Sequence, residues 1–207
     1  MNLPRRHRNT AWGIDNVAFV VVYDACVLFP APLRDILLRI AVTGLVRARW
    51  SERILDECFR NILEQRPDLK PAALTRTREL MNRAVPNCLV EGFEDLIEGL
   101  HLPDANDRHI LAAAIRTGAQ VIVTFNLRDF PREQLAPFGI EAIHPDDFVV
   151  DLIDLAPGVL TNIVAEQAAA LRNPPRTTAE LLDVLRDQGL PQAVAKLRAL
   201  FGQEATW

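Results

Sequence analysis

The sequence has only three cysteines, and no two of them have the spacing of a paired motif. Cys26, Cys58 and Cys88 stand far apart, with no C-x-x-C pair. This excludes a dense disulfide framework and a clustered thiolate zinc site. Each lies in an apolar or helical context, where a cysteine acts as a small buried hydrophobe. We therefore expect a reducing, cytoplasmic location.

Long apolar runs are also missing. No stretch approaches the length of about 20 residues that a membrane-spanning helix needs. The run over residues 17–23 stops at Asp24 and is typical of a buried strand. Arg5, Arg6 and Arg8 near the start are not followed by an apolar segment with a cleavage site. We therefore expect neither a secretory signal nor a membrane partner.

Positive charge is not in excess, since the formal net charge is −4. Lysine occurs only at positions 70 and 196, so the basic side chains are almost all arginines. Arginine suits planar contacts with phosphate, although its abundance more simply reflects a GC-rich genome. Charge alone therefore assigns no nucleic-acid partner. The composition, 49% hydrophobic and 24% charged, is that of a globular protein.

Strand and helix signals alternate over the first three quarters of the chain. The pattern predicts strands over 18–24, 45–50, 88–90, 121–124 and 140–143, and helices over 33–45, 51–65, 71–84, 104–118 and 131–138. This alternation indicates an α/β fold with a central parallel sheet.

Beyond residue 148 only helical signals remain. They cover 151–172, 178–188 and 191–201, with Thr178 expected to cap the second of these helices. We therefore expect a loose N-terminal tail over 1–16, an α/β domain over 17–147 and an all-helical C-terminal extension over 148–207.

Polar side chains follow the two clearest strands. Asp24 ends the first strand, and Asn126 and Asp129 follow the strand over 121–124. Ligands of open parallel sheets bind at the carboxyl ends of the strands. The helix over 104–118 would bring Asp104 and Asp107 to this edge, and Glu57 lies in the second turn of the helix over 51–65.

Carboxylates that meet at one edge repel one another, and a cation would neutralise them. Oxygen ligands without histidine or cysteine suit Mg²⁺ or Mn²⁺. Each acid also has a simpler explanation. Asp104 fits a helix N-cap, Asp107 could cap as well as bind, Glu57 could be a solvated helix residue, and Asp129 could cap the helix after Pro131. Asp24 is the hardest to explain without a role, because it ends a buried strand.

Four segments in this order resemble the motifs of PIN-domain nucleases, in particular the VapC-like toxins of bacterial toxin–antitoxin systems. They are VVYDACVL (21–28), WSERILDECFRN (50–61), LPDANDRHILAAA (102–114) and VIVTFNLRDFP (121–131). The resemblance covers residues 18–147. It implies a three-layer α/β/α sandwich, and the extension resembles one carried by a branch with longer chains.

The resemblance implies roles for individual residues. Asp24 matches the first metal ligand, Glu57 the second acid and Asp107 the third, while Asp129 or Asn126 matches a more variable fourth position. Asp104 is an additional acid that would bind a second metal or only cap. The remaining candidates, placed near the substrate phosphate, are Arg60, Asn61 and Thr124.

The implied activity is endonucleolytic cleavage of RNA that depends on Mg²⁺ or Mn²⁺ and leaves 5′-phosphate and 3′-hydroxyl ends. The implied partners are an RNA substrate, a small antitoxin protein that blocks the acidic cleft, and a second copy of the chain in a homodimer.

Two alternatives compete with this interpretation. A haloacid-dehalogenase-like phosphatase would have Asp24, Thr124 and the Asp146–Asp147 pair in its motif order, but it needs a second Asp at position 26, where this chain has Cys26. A non-catalytic PIN-like module that binds RNA or acts as a scaffold would not need the full set of acids. We further expect His109 on a helix surface, with contact to the substrate as the alternative. We expect His144 in a loop and Trp50 in the core, with stacking on an unpaired base as the alternative for Trp50.

Overall fold

A computed structural model describes residues 18–204 of the chain. The predicted tail over residues 1–16 lies outside these residues. The described part begins two residues before the first strand and ends with the last helix.

Four short parallel strands form the central sheet. They are β1 (Val20–Tyr23), β2 (Arg47–Arg49), β3 (Val121–Val123) and β4 (Glu141–Ile143), in the spatial order β2-β1-β3-β4. Val22 pairs with Arg49 on one side and with Ile122 on the other. The order changes direction between β1 and β3, which is where open α/β sheets bind their ligands.

The strand predicted over 88–90 is wrong. Trp50 exchanges two backbone hydrogen bonds with Cys88 and Val90, and the pairing ends there as a single parallel bridge between Trp50 and Leu89. Asn87 and Gly92 have φ values of 56° and 68°, so the chain turns away on both sides of the segment.

Both faces of the sheet are covered. Val21, Val22 and Tyr23 are each fully buried, although successive strand side chains point to opposite faces. The hydroxyl of Tyr23 donates to the carbonyl of Leu37, and its ring packs edge-on against Phe148, 6.2 Å between centroids. The α/β class, the central parallel sheet and the three-layer arrangement are therefore confirmed.

Ten α-helices accompany the strands in residues 18–204. They are α1 (Ala25–Leu28), α2 (Ala31–Val42), α3 (Glu52–Gln65), α4 (Pro71–Ala84), α5 (Arg108–Thr117), α6 (Arg132–Leu135), α7 (Pro145–Leu155), α8 (Pro157–Ala170), α9 (Thr178–Asp187) and α10 (Pro191–Glu204), and three short 3₁₀ helices lie at Glu94–Gly99, Ala105–Asp107 and Ala136–Phe138.

Local chemistry sets the ends of the helices that carry the acids. The hydroxyl of Ser51 accepts from the backbone N–H of Ile54 and begins α3. Gly118, at φ 61°, ends α5 with a left-handed residue, as its sequence predicts. Asp104 accepts from the N–H of Asn106 and begins the 3₁₀ turn that leads into α5.

Helices α7 to α10 make up the C-terminal extension predicted over 148–207, and the first turn of α7, from Pro145, precedes that range. The cap of α9 is Thr177 and not Thr178, because Thr177 forms a reciprocal capping box with Glu180. The buried carboxylate of Asp146 accepts the backbone N–H groups of Gln192 and Ala193 and so caps α10.

No single helix within residues 18–204 combines the length and hydropathy of a membrane span. Helices α7 and α8 reach that hydropathy only as a pair, and the chain bends by 119° between them.

Candidate active site at the carboxyl edge of the sheet

Asp24 lies at the end of β1 and is 3% exposed. Its backbone N–H continues the sheet by donating to the carbonyl of Val123. Its Oδ2 accepts from the Thr124 hydroxyl at 2.6 Å and from the Cys26 thiol at 3.0 Å. Burial raises the pKa of Asp24, the two hydrogen bonds lower it, and the charge of Glu57 raises it again. A buried carboxylate is therefore held in place by two donors.

Asp107 closes the 3₁₀ turn before α5 and is half-buried. Asp107 occupies the N-cap position of α5, but its side chain accepts no hydrogen bond from a helix N–H group. Burial raises its pKa from 3.8 to about 7, and the charges of Asp24, Asp104, Asp129 and Glu57 contribute to the rise. Four acids from separate segments therefore act on Asp107 through their charges.

Glu57 lies on α3 and is half-buried, not solvated as an ordinary surface residue would be. Its Oε2 lies 3.4 Å from Nε2 of His109. The expectation that His109 lies on a helix surface is wrong, because it is 2% exposed. Residues 110–114 of α5 are all buried too, so this helix is covered on most sides and His109 faces the acids instead of solvent.

The remaining polar candidates lie in the turn before α5 and in the loop after β3. Asp104 is exposed and caps its 3₁₀ turn through Oδ1, at 2.8 Å from the N–H of Asn106. Asp129 is half-buried in the turn after β3, and its N–H donates to the carbonyl of Asn126. The N–H of Asn126 donates to the Thr124 hydroxyl at 2.9 Å. Thr124 therefore connects Asp24 to the loop that carries the fourth position.

Arg60 and Asn61 lie one turn after Glu57 on α3, the first exposed and the second half-buried. No hydrogen bond or ion pair joins either of them to an acid of this edge among the described residues. Their predicted place near a substrate phosphate, like that of Thr124, stays a prediction.

The donor set fits a hard divalent cation. Asp24, Glu57, Asp104, Asp107 and Asp129 offer carboxylate oxygens that repel one another around Asp107. Within residues 18–204, however, no group of three His, Cys, Asp or Glu side chains is already close enough together to hold a metal ion. The chemistry of the site suits Mg²⁺ or Mn²⁺, and the residues that would hold it are Asp24 and Asp107 with Glu57.

The sequence indicates no site role for Cys26 and offers contact with the substrate only as an alternative for His109. A core position is predicted for Cys26, yet it is partly exposed and donates to Asp24. A surface position is predicted for His109, yet it is buried beside Glu57. The run of apolar residues after His109 is the signal that could have placed it inside, because a helix without a polar face is buried. Cys58 and Cys88 are buried free thiols, as expected, and Trp50 is buried in the core.

A family model for the PIN domain matches residues 20–128, which is more than half of the chain. The chain belongs to the PIN-domain family. The matched segment of this PIN domain includes β1 to β3 and the candidates from Asp24 to Asn126. A second family model, the VapC50 C-terminal domain, matches residues 145–199, which lie in α7 to α10.

A relative from Mycobacterium tuberculosis (strain ATCC 25618 / H37Rv), described as "Putative ribonuclease VapC50", is 44% identical over 110 residues. The matched part is 53% of this PIN-domain chain and 64% of the relative, so the chain matches less than two thirds of that protein. No solved structure matches the chain significantly.

Proposed function

We propose that this PIN-domain protein is an endoribonuclease that depends on Mg²⁺ or Mn²⁺ and is the toxin of a toxin–antitoxin pair. The observation that carries the proposal is the grouping of Asp24, Glu57, Asp104 and Asp129 around Asp107, whose charges add to burial in raising the pKa of Asp107. A protein that only needed a fold would gain nothing from this repulsion. The name of the mycobacterial relative supports RNA as the substrate.

The proposed reaction is hydrolysis of a phosphodiester. Water attacks phosphorus, the bond to the 3′ oxygen breaks, and the products carry a 5′-phosphate and a 3′-hydroxyl. When bound, a divalent cation would neutralise the carboxylates, bind phosphate oxygens and lower the pKa of the attacking water.

The residues of the chain have separate roles in this proposal. Thr124 and Cys26 fix Oδ2 of Asp24, and Asp107 faces it from the start of α5. Glu57, oriented by His109, assists either as a further ligand of the cation or as the base that accepts the proton of the attacking water. Asn126 and Asp129 form the outer side of the site, and Arg60 and Asn61 bind the phosphate next to the scissile bond.

We further propose a biological setting for this activity, which the same family membership supports. The protein would act in the cytoplasm as a homodimer, held inactive by a small antitoxin that covers the acidic edge. The family model for the VapC50 C-terminal domain supports a toxin of the longer type. Growth arrest on expression of the chain alone is the expected result.

A cleavage assay tests the activity. We expect the purified wild-type chain to cut end-labelled RNA with Mg²⁺ or Mn²⁺ and to stop when EDTA is added. The 3′ ends should be substrates for poly(A) polymerase and the 5′ ends for a 5′-phosphate-dependent exonuclease. Asp24→Asn and Asp107→Asn should cut no faster than background.

A matched control removes a carboxylate from the opposite edge. Glu141 is exposed at the amino end of β4, so Glu141→Gln should cut at the wild-type rate. Cleavage by Asp24→Asn at the wild-type rate would contradict the proposed site.

The two alternatives make different predictions. The buried carboxylate of Asp146 is occupied in capping α10, which weighs against a role in a dehalogenase-like phosphatase site. Calorimetric titration with Mn²⁺ tests the non-catalytic module. Such a module has no reason to bind Mn²⁺ at the acidic edge, so Mn²⁺ binding that is lost in Asp24→Asn would exclude it.

A further inference from the structure

The turn between α9 and α10 lies directly against the loop that follows β3. Gly189 has φ 95°, a left-handed value that suits glycine, and a Cβ at this position would lie 2.9 Å from Cε1 and 3.4 Å from Cζ of Phe125. Phe125 also packs edge-on against His144, with 5.2 Å between the ring centroids. The extension therefore touches the residue between Thr124 and Asn126.

The backbone around Phe125 is part of the acidic site. Its N–H donates to the sulfur of Cys26 at 3.3 Å, and the next N–H, of Asn126, donates to the Thr124 hydroxyl at 2.9 Å. Cys26 and Thr124 are the two side chains that donate to Oδ2 of Asp24. A displacement of the Phe125 ring would therefore be passed to the donors of the first acid.

Two other residues of the extension form hydrogen bonds with the backbone at the start of α2. The side chain of Gln188 accepts from the N–H of Leu33 at 3.2 Å, and that of Gln167 donates to the carbonyl of Pro32 at 2.9 Å. Both partners lie at the start of α2, shortly after Asp24 in the chain. The extension is thus attached to the first turn of α2 and lies against the loop after β3.

We propose that the helical extension is a clamp on the catalytic edge and that Gly189 is the positioning residue that seats it on Phe125. The proposal rests on the proposed ribonuclease function for its effect on turnover, but not for its effect on the loop. Only glycine allows the α9–α10 turn to approach the ring this closely. The clamp keeps Thr124 and Asn126 in the positions that hold the Asp24 carboxylate, and it does not itself contact the RNA.

Four variants test the clamp: Gly189→Ala, Phe125→Leu, the double variant and Gly44→Ala. Leucine lacks the two ring atoms that an alanine at 189 would meet. Gly44 has φ 81° with nothing within 4 Å of a Cβ, so Gly44→Ala carries a similar backbone strain without the contact.

Amide hydrogen exchange gives a readout that needs no activity. We expect faster exchange at Phe125 and Asn126 in Gly189→Ala and unchanged exchange there in Gly44→Ala. In the Phe125→Leu background, Gly189→Ala should increase the exchange rate at these two amides much less. Equal exchange at these amides in Gly189→Ala and Gly44→Ala, or the same increment from Gly189→Ala in both backgrounds, would overturn the clamp.

RNA cleavage gives the second readout. Gly189→Ala should lower kcat by about tenfold to a hundredfold with little change in KM, as expected when catalytic groups are misplaced by fractions of an ångström. In the Phe125→Leu background, Gly189→Ala should lower kcat much less than it does in the wild type. A rise in KM at unchanged kcat would overturn the positioning role.

Phe125→Leu alone keeps the test open if Gly189→Ala does not fold. It removes the ring atoms under the turn, and unchanged exchange at Asn126 would contradict the clamp. The two proposals also fail separately. If the wild type does not cleave RNA, the proposed ribonuclease function is refuted. If the wild type cleaves RNA but amide exchange at Phe125 and Asn126 does not respond to Gly189→Ala, the clamp alone is refuted.

Discussion

Neutralising Asp107 should stabilise the cation-free protein at neutral and basic pH. Burial and the charges of the other acids raise the pKa of Asp107 from 3.8 to about 7. Between pH 3.8 and about 7, the native state therefore keeps a proton on Asp107 that the unfolded chain has released. The contribution of Asp107 to stability is greatest below pH 3.8 and falls as the pH rises through about 7. Asp107→Asn cannot ionise and escapes this loss.

The magnitude follows from the size of the rise. Each pKa unit corresponds to about 1.4 kcal/mol, so the rise sets an upper limit of about 4 kcal/mol. Asp107 is only half-buried, and solvent screens its charge interactions. We therefore expect Asp107→Asn to be about 1–2 kcal/mol more stable than the wild type at pH 8.

Urea denaturation in EDTA at pH 8, 7 and 5 measures this difference. The advantage of Asp107→Asn should be largest at pH 8 and less than half as large at pH 5. Glu141→Gln, which removes an exposed carboxylate at the other edge, should show no such trend. Wild-type stability equal to or above that of Asp107→Asn at pH 8 would refute the electrostatic reasoning.

Three further substitutions test individual contacts. Thr124→Val removes the 2.6 Å hydrogen bond to the buried carboxylate of Asp24 and should cost about 2 kcal/mol in urea denaturation; an unchanged midpoint would contradict this. Asp146→Ala leaves two backbone N–H groups at the start of α10 unsatisfied, so it should cost about 1–3 kcal/mol and speed hydrogen exchange in α10, while equal exchange would count against the cap. Trp50→Phe loses the 2.9 Å hydrogen bond from Nε1 to Asn82 and should cost about 1 kcal/mol by thermal denaturation, and an unshifted Tm would show that this bond adds nothing.

The sheet was predictable because its strands have a strong local signal. Val20–Tyr23 and Val121–Val123 are apolar and β-branched, and such runs indicate strands that are buried on both faces. Once these strands are parallel neighbours, the residues that follow them must meet at one edge. The approach of Asp24 to the loop of Asn126 and Asp129 follows from that geometry alone.

Contacts that depend on how distant segments pack were not predictable from local patterns. His109 has the sequence environment of any helix residue, and its burial depends on the elements that cover α5. The cap of α9 was misplaced by one residue, since Thr177 and Thr178 are equivalent until Glu180 is counted as the third helical residue. The contact of Gly189 with Phe125 joins segments 64 positions apart, and no spacing rule indicates it.

The hydrogen bond between Thr124 and Asp24 spans 100 positions of the chain, and it has a consequence for biosynthesis. Translation at about 5–20 residues per second separates the appearance of these two residues by about 5–20 s. The central pair of strands, β1 and β3, cannot form before then, and non-local pairings of this kind fold slowly. A nascent chain on the ribosome therefore holds most of its acids before it has an assembled site, and chemistry that needs the whole edge cannot begin within that interval.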